Sequence, residues 1–371
     1  MKILISCLSE SWGGMEMYTL TTIDQLIKNG LTPSLLCVKN SRIYNEAKHF
    51  NVKIFTVESV AYFQPAAIKK LMLIFKKNQF DIIHSHASKD LWLLSPALFL
   101  IRSTAKLFLT KHVGSFVVKK DLLHKLIYKR LTAAFAISNV IKQNLIDTCP
   151  LKSEKIKLLH DAIDTQKFNP SLFDKQLSRK EFNFSDSEIS IGMMARFSPG
   201  KGHEEFLEAA HILCSKYSNL KFLIIGEPSK GESEYGKKIE KLSNKLNLSG
   251  KIIFTGYRTD IPFVLSALNI FAFPSHAEAF GLALVEAMSM ELPVVCSNSD
   301  GVLDINIDNI TGYFFEKGNA TSLAEKLELL IESEQKRFKF GKAARNHVIS
   351  NFDLSVATFK TINLYKEYLR K

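Results

Sequence analysis

Residues 273–288 read FPSHAEAFGLALVEAM, and this stretch joins a short apolar run to a helical pattern through a turn. The run 270–273 predicts a buried strand that ends at Pro274, and a helix is predicted to begin near Gly281. The same alternation of short apolar runs and longer helical patterns extends along most of the chain. Such alternation is typical of parallel sheets covered by helices on both faces. The sequence therefore predicts an α/β protein.

The alternation occurs in two series, separated by the polar residues 164–187. We therefore predict two doubly wound, Rossmann-like domains, residues 1–168 and 169–353, that face each other across a cleft. An amphipathic helix over 354–371 is predicted to pack back on the first domain. Ligands of such folds usually bind at the carboxyl ends of the strands.

Composition excludes several classes of protein. Of the 371 residues 46% are hydrophobic and 23% are charged, which opposes a mostly disordered chain. The five cysteines include no CxxC pair, which opposes a disulfide framework or a zinc ribbon and fits a reducing compartment. The apolar run 91–101 is too short to span a bilayer, and no secretory signal is recognisable, so a cytoplasmic location is predicted.

The net charge of +12 is concentrated in one segment, since residues 102–130 contain eight Lys or Arg and one acid, Asp121. Nucleic acid, an anionic membrane and a phosphorylated substrate are the possible partners. Nucleic acid is the weakest, because no nucleic-acid-binding module accompanies the segment. Within 118–131 apolar and basic residues recur at helical spacing. This pattern predicts either a helix docked on the domain with a solvated basic side, or a surface that binds the inner face of the plasma membrane.

Two segments carry candidate site residues. In 273–288 the predicted helix start at Gly281 suits a diphosphate or sugar hydroxyls, and Glu278 and Glu286 could accept hydrogen bonds from hydroxyl groups. In 191–204 the loop after a strand carries Arg196 and Lys201, two cations that an anionic diphosphate requires. From spacing alone, a capped helix with solvated glutamates and a solvated basic loop remain possible.

These two segments, in this order, resemble the retaining glycosyltransferases of family 4 (glycosyl transferases group 1), which have the GT-B fold. Other stretches extend the resemblance over nearly the whole chain: SWGGME at 11–16, FDIIHSH at 80–86, LTKHVG at 109–114, FTGYRTD at 254–260 and YKEYL at 365–369. The resemblance implies an acceptor domain at the N-terminal side and a nucleotide-sugar-binding domain at the C-terminal side.

The resemblance also implies residue roles. Arg196 and Lys201 would bind the donor diphosphate and stabilise the leaving nucleotide, and Glu286 would hold the ribose hydroxyls. Glu278 would bind the transferred sugar and His112 would lie near its reacting carbon. The backbone of Phe280, Gly281 and Leu282 would also hold the sugar. Tyr257 and Arg258 would lie near the base, and Gly13 and Gly14 would pack under the phosphates.

The activity implied is a metal-independent, configuration-retaining transfer from a nucleotide sugar, UDP-linked rather than GDP-linked, to a hydroxyl. No cofactor is expected. A cell-envelope glycan or lipid-linked intermediate, such as one of lipopolysaccharide, is the expected acceptor. The alternatives are a nucleotide-sugar 2-epimerase of similar architecture and a non-catalytic nucleotide-sugar-binding subunit. A metal site at His84 and His86 is disfavoured, because the HxHxDH continuation of a metallohydrolase is missing.

Overall fold

The structure is a computed structural model, and it describes residues 1–58, 62, 64–229 and 231–371. The chain divides into two compact units. Unit 1 comprises Met1–His160 with Ser355–Lys371, and unit 2 comprises Asp161–Leu354. This division lies earlier than residue 168 because the chain after His160 pairs with the end of unit 2. Ile163 donates to the carbonyl of Phe352 at 2.9 Å and accepts from the amide of Leu354 at 2.9 Å.

In the described part of unit 1, one parallel sheet has the order β3-β2-β1-β4-β5-β6-β7. Its strands are β1 (Ile3–Cys7), β2 (Ser34–Val38), β3 (Lys53–Val57), β4 (Ile82–Ser85), β5 (Lys106–Lys111), β6 (Ala133–Ala136) and β7 (Ile156–Leu158). Its helices between strands are α1 (Gly14–Lys28), α2 (Arg42–Ala47), α3 (Pro65–Asn78), α4 (Leu91–Leu100), α5 (Leu122–Lys129) and α6 (Asn139–Thr148).

In unit 2, the described strands form a second parallel sheet with the order β10-β9-β8-β11-β12-β13. The strands are β8 (Ile189–Met194), β9 (Leu220–Ile225), β10 (Ile252–Phe254), β11 (Ile270–Phe273), β12 (Val294–Ser297) and β13 (Gly312–Phe315). The helices are α7 (Lys175–Glu181), α8 (His203–Cys214), α9 (Ser233–Lys245), α10 (Ile261–Ser266), α11 (Leu282–Ser289), α12 (Ala320–Ile331) and α13 (Glu334–Asn351). The last helix, α14 (Leu354–Arg370), packs almost entirely with unit 1.

The predicted fold class, two doubly wound parallel sheets, is confirmed. Each sheet turns back at its first strand: β1 lies between β2 and β4 in unit 1, and β8 lies between β9 and β11 in unit 2. Most residues of the described strands are buried, as expected for sheets covered by helices on both faces, whereas the edge strands β3, β7 and β10 are only partly buried. No described helix has both the length and the apolar character needed to span a membrane.

The helical pattern predicted over 118–131 is only partly right. Helix α5 covers Leu122–Lys129 alone, since Asp121 caps it by accepting the backbone N–H of His124. Leu131 and Ile127 are buried, but Leu122, Leu123 and Leu126 are exposed. Of the two alternatives predicted for this segment, the docked helix therefore holds for Ile127 and not for these three leucines, and the membrane-binding alternative stays a prediction.

Candidate functional site

In unit 2 the loops that follow β8 and β11 lie against each other. The amide of His276 donates to the carbonyl of Gly200 at 2.8 Å. Gly202 has a φ of 79°, and a Cβ added there would stand 2.2 Å from the carbonyl oxygen of Pro274. Only glycine permits both this conformation and this close approach. The backbone therefore brings the two sequence-predicted segments together.

Within this loop pair Lys201 and Glu278 form an ion pair. The Lys201 Nζ donates to Glu278 Oε1 at 2.7 Å, and the Ser275 hydroxyl donates to the same oxygen at 2.9 Å. The side chains are 24% and 19% exposed, so each is reachable but largely surrounded by protein. A cation and a carboxylate thus stand together at the edge of the sheet, as a ligand with both a diphosphate and hydroxyl groups requires.

Helix α11 begins directly after this pair. Gly281 precedes its first residue, Leu282, with a φ of 124°, which favours glycine. Phe280 is buried and packs edge-on against Phe352 with ring centroids 5.6 Å apart, which anchors the loop. The first N–H groups of a helix lack partners within the helix and attract anions or oxygen atoms.

Glu286 lies on α11, in a half-buried position. Burial raises the pKa of Glu286 to about 7, and the charge of Lys167 partly opposes that rise. The carboxyl therefore changes its charge near neutral pH. This property was not predictable from the spacing of the two glutamates, because it depends on residues packed around α11.

Three further predicted site residues of unit 2, Arg196, Tyr257 and Arg258, are not part of the Lys201–Glu278 ion pair. Arg196 and Tyr257 are both exposed to solvent. Arg258 is bound by two carboxylates, since NH1 lies 2.8 Å from Glu181 and NH2 lies 2.5 Å from Asp260. Its charge is therefore already neutralised by protein groups.

In unit 1 the predicted site residue His112 and the two histidines of the FDIIHSH motif, His84 and His86, lie in one stack. The His84 and His86 rings are 4.8 Å apart, and the His86 and His112 rings are 5.3 Å apart. His84 hydrogen-bonds to the hydroxyls of Tyr365 at 2.5 Å and Thr110 at 2.7 Å. Both ring nitrogens of His84 thus have protein partners. Burial lowers its pKa to about 3, so His84 stays uncharged.

His86 contacts His112 directly. His86 Nδ1 and His112 Nε2 are 3.0 Å apart, so one ring N–H donates to the other ring. Burial holds the pKa of His86 well below its usual value. The Nε2 atom of His86 is buried and has no hydrogen-bond partner in the part of the chain that the structure describes. His86 is therefore suited to orient the His112 ring, a role that the sequence did not show.

Lys111 is a buried cation that sequence reasoning missed. Its Nζ donates to the hydroxyl of Ser88 at 3.0 Å, and no described carboxylate lies within ion-pair distance. Burial lowers the pKa of Lys111 to about 8, and the charge of Lys119 adds to this effect. The signal was present in the motif LTKHVG, since Lys111 immediately precedes His112 at the end of β5.

Gly13 and Gly14 lie at the start of α1 in unit 1. Gly13 is the residue before the helix, and a Cβ on Gly14 would meet no atom within 4 Å. The protein itself therefore leaves open space at Gly14. No three His, Cys, Asp or Glu side chains in the described ranges are grouped closely enough to hold a metal ion.

Family models match both halves of this chain. The model described as Glycosyltransferase Family 4 matches residues 12–167, and the model described as Glycosyl transferases group 1 matches residues 174–347. The chain belongs to glycosyltransferase family 4. The two matched ranges include every predicted site residue.

Relatives support this membership. The glycosyltransferase is 27% identical to the Capsular polysaccharide biosynthesis glycosyltransferase CapM of Staphylococcus aureus, over 82% of this chain and 81% of CapM. It is 25% identical to the UDP-Gal:alpha-D-GlcNAc-diphosphoundecaprenol alpha-1,3-galactosyltransferase of Escherichia coli, over 82% of this chain and 83% of that enzyme. A glycosyltransferase structure from Rickettsia africae ESF-5 superimposes with a TM-score of 0.90 at 25% identity, covering 100% of this chain and 99% of that one. The GT-B architecture predicted from the sequence is thereby confirmed.

Replacing Lys201 with alanine should weaken the binding of a nucleoside diphosphate by at least about tenfold. A charge-assisted contact contributes about 1.5–3 kcal/mol, and about 1.4 kcal/mol corresponds to tenfold. Calorimetric titration with UDP and with GDP measures the effect. Lys237→Ala is the matched control, because this exposed lysine pairs with Glu234 on α9 and should leave the affinity unchanged. Unchanged affinity in Lys201→Ala would remove Lys201 from the diphosphate site.

The affinity for a nucleotide sugar should rise between pH 6 and pH 8 by up to about tenfold and stay constant above that range. The reason is that the Glu286 carboxyl, with its pKa raised to about 7, becomes ionised over this interval and then accepts more hydrogen bonds from ribose hydroxyls. Titration with UDP-glucose tests this, since its diphosphate has no proton to lose near neutral pH. Glu286→Gln should bind more weakly and show no pH slope; a slope that persists in this variant would assign the titration to another group.

Proposed function

We propose that this glycosyltransferase transfers a sugar from a UDP-linked donor to a hydroxyl of a lipid-linked cell-envelope glycan, with retention of configuration and without a metal ion. The observation that carries the proposal is the Lys201–Glu278 pair at 2.7 Å, located just before the start of α11. This pair offers a cation for the diphosphate and a carboxylate for the sugar within one loop cluster. Helix α11 begins four residues after Glu278, and the first N–H groups of a helix are available to bind a ligand.

The proposed donor contacts follow from these residues. Arg196 and Lys201 bind the diphosphate, and their charges stabilise the negative charge that develops on the leaving UDP. Glu278 accepts hydrogen bonds from hydroxyls of the sugar, and Glu286 accepts them from the ribose. Glu278 also accepts a hydrogen bond from Lys201, so the two side chains that contact the diphosphate and the sugar orient each other.

The proposed reaction is a displacement on one face of the sugar. The bond between the anomeric carbon and the β-phosphate oxygen breaks, and the acceptor oxygen forms a bond to the same carbon from the same side. The proton of the acceptor hydroxyl passes to the departing phosphate oxygen, which becomes more basic as the bond breaks. No protein nucleophile is needed. His112, oriented by His86, supplies an imidazole for hydrogen bonding to the reacting sugar.

The proposed substrates are supported by the names of two relatives. The Escherichia coli relative is named for a UDP-Gal donor and a diphosphoundecaprenol acceptor, and CapM is named for capsular polysaccharide biosynthesis. On that basis we propose UDP as the carrier of the donor sugar and a lipid-linked diphosphate as the acceptor class for this protein.

Product analysis tests this function against a 2-epimerase and a non-catalytic subunit. Incubation with UDP-sugars and a polyprenyl-diphosphate-linked monosaccharide should yield UDP and an α-linked disaccharide from an α-linked donor, as read by NMR. Excess EDTA should leave the rate unchanged, because the cations of Arg196 and Lys201 take the place of a metal ion. A β-linked product would contradict retention, and loss of activity in EDTA that Mg²⁺ or Mn²⁺ restores would contradict metal independence. Epimerised donor without transfer would favour the epimerase.

The basic segment 118–131 also enters the proposal. Exposed Leu122, Leu123 and Leu126 stand beside the lysines of the segment, among them Lys119 and Lys125. Apolar residues that insert into the interface, together with basic residues that attract anionic lipid, are typical of interfacial membrane binding. We therefore assign this segment to reversible attachment at an anionic membrane, where a lipid-linked acceptor resides.

The protein should float with vesicles that contain anionic lipid, and flotation should fall in high salt. Each Lys or Arg near such a surface contributes about 1 kcal/mol, and salt screens this attraction. Changing Lys119, Lys120, Lys125 and Lys129 to Glu should abolish flotation and leave UDP binding intact. Equal flotation with neutral and anionic vesicles, or no flotation at low salt, would contradict this assignment.

A further inference from the structure

The histidine stack of unit 1 is held at both of its ends by tyrosines. At one end Tyr365 of α14 hydrogen-bonds to His84. At the other end Tyr18 of α1 packs edge-on against His112, with ring centroids 5.5 Å apart. His86 lies between the two end histidines and stacks on both of them. A contact made at His84 can therefore reach His112 through a single intervening ring.

The ring of His86 has few anchors of its own. Its side chain is 2% exposed, so water scarcely reaches it. Its Nδ1 atom lies 3.0 Å from Nε2 of His112, and its Nε2 atom has no partner among the described residues. The other ring contacts are the stack on His84 at 4.8 Å, with 28° between the planes, and the more distant ring of Tyr18 at 6.4 Å. His84 is therefore the main support of the His86 ring.

The same atoms assign the proton of His86. Burial holds the pKa of His86 well below its usual value, so the ring is uncharged and carries one N–H. A proton on Nε2 would leave a buried donor without an acceptor, which folded proteins rarely tolerate. The proton therefore lies on Nδ1 and is donated to Nε2 of His112. Nε2 of His112 is then an acceptor that carries no proton.

Two hydroxyls fix the plane and the proton of His84. The Tyr365 hydroxyl lies 2.5 Å from Nδ1, and the Thr110 hydroxyl lies 2.7 Å from Nε2. A phenol is a stronger acid than an aliphatic alcohol, so Tyr365 donates to Nδ1 and the Nε2–H group donates to Thr110. Tyr365 is 0% exposed, so no water can replace its hydroxyl. Loss of this hydroxyl would leave the His84 ring able to turn or to move its proton.

We propose that Tyr365 is a positioning residue for the transfer reaction. Its hydroxyl holds His84 and thereby fixes the plane of His86, which presents its Nδ1 proton to His112. The inference rests on the proposed function and deepens it, because it assigns the orientation of His112 to the C-terminal helix. Tyr365 acts only through other side chains, so it is not a catalytic residue. In the opposite case Tyr18 would hold the His112 ring without help from Tyr365.

Tyr365→Phe removes the hydroxyl and keeps the ring. The kcat of sugar transfer should fall by at least about tenfold, because a small displacement of a group at the reacting carbon is costly. The KM for the UDP-sugar and the affinity for UDP-glucose should stay within about twofold, because the donor contacts lie in unit 2. Thr110→Val, which removes the other hydroxyl at His84, should also lower kcat, whereas Thr110→Ser keeps the hydroxyl and should retain it.

Tyr368→Phe is the matched control on the same helix. Tyr365 and Tyr368 both pack against Phe108, with ring centroids 5.3 and 5.5 Å away. The hydrogen bonds of His84, however, go to Tyr365 and Thr110 and not to Tyr368. The control should therefore keep its kcat within about twofold. Circular dichroism and thermal unfolding verify that each variant is folded. An equal loss of kcat in both tyrosine variants would overturn the proposal, since general packing of α14 would then account for it.

NMR of protein with isotope-labelled histidines reads the ring protons directly, because protonated and bare ring nitrogens have separate signals. Nε2 of His112, assigned by its loss in His112→Ala, should be bare in the unmodified protein. The His112 signals should change in Tyr365→Phe and stay unchanged in Tyr368→Phe. A purely structural role of Tyr365 would lower the unfolding temperature and leave these signals as they are.

Unchanged kcat in a folded Tyr365→Phe variant would overturn the proposal, since Tyr18 would then suffice to hold His112. A protonated Nε2 of His112 would also overturn it, because the hydrogen bond with His86 would then run in the other direction. Failure of the proposed function has a different signature. The unmodified protein would then transfer no sugar, whereas the His112 signals would still differ between Tyr365→Phe and Tyr368→Phe.

Discussion

The close contact between the backbone at Gly202 and the carbonyl of Pro274 determines the geometry of unit 2 around its candidate site. A side chain at residue 202 would collide with this carbonyl, so the two loops could not approach each other. Their approach lets Lys201 reach Glu278 and lets His276 bond to the backbone of Gly200. The charges assigned to the donor are thus positioned by main-chain packing, which is stiffer than side-chain contacts at the surface would be.

Unit 1 uses a different principle, because its polar residues are buried in a stack rather than placed on loops. His84 is held by two hydroxyls, and His86 connects it to His112. Low pKa values keep His84 and His86 uncharged, so the stack needs no counter-ion. Lys111 is the exception in this region, since it is buried and, among the described residues, donates from its ammonium group to the Ser88 hydroxyl alone. Buried cations with few partners are often retained for binding rather than for stability.

The sequence predicted the parts of the fold that local patterns encode. Strand β11 has the predicted bounds, because its apolar run ends at the turn residue Pro274. Helix α5 is shorter than the helical pattern over 118–131, because the Asp121 side chain caps its N-terminus. The candidate site residues were proposed from their motifs. Contacts such as His86–His112, and pKa shifts that depend on packing, join residues distant in the chain and leave no local pattern.

The hydrogen bond between Tyr365 and His84 has a consequence for the order in which the protein folds. Tyr365 and Ile362 belong to the core of unit 1, yet they follow the whole of unit 2 in the chain. During synthesis on the ribosome, unit 1 therefore emerges first but cannot complete its core until the last helix is released. Until then the surface around His84 and Phe108 lacks its cover. Unit 2, which is continuous in the chain, can close its core earlier, so the first unit to be made is the last to be finished.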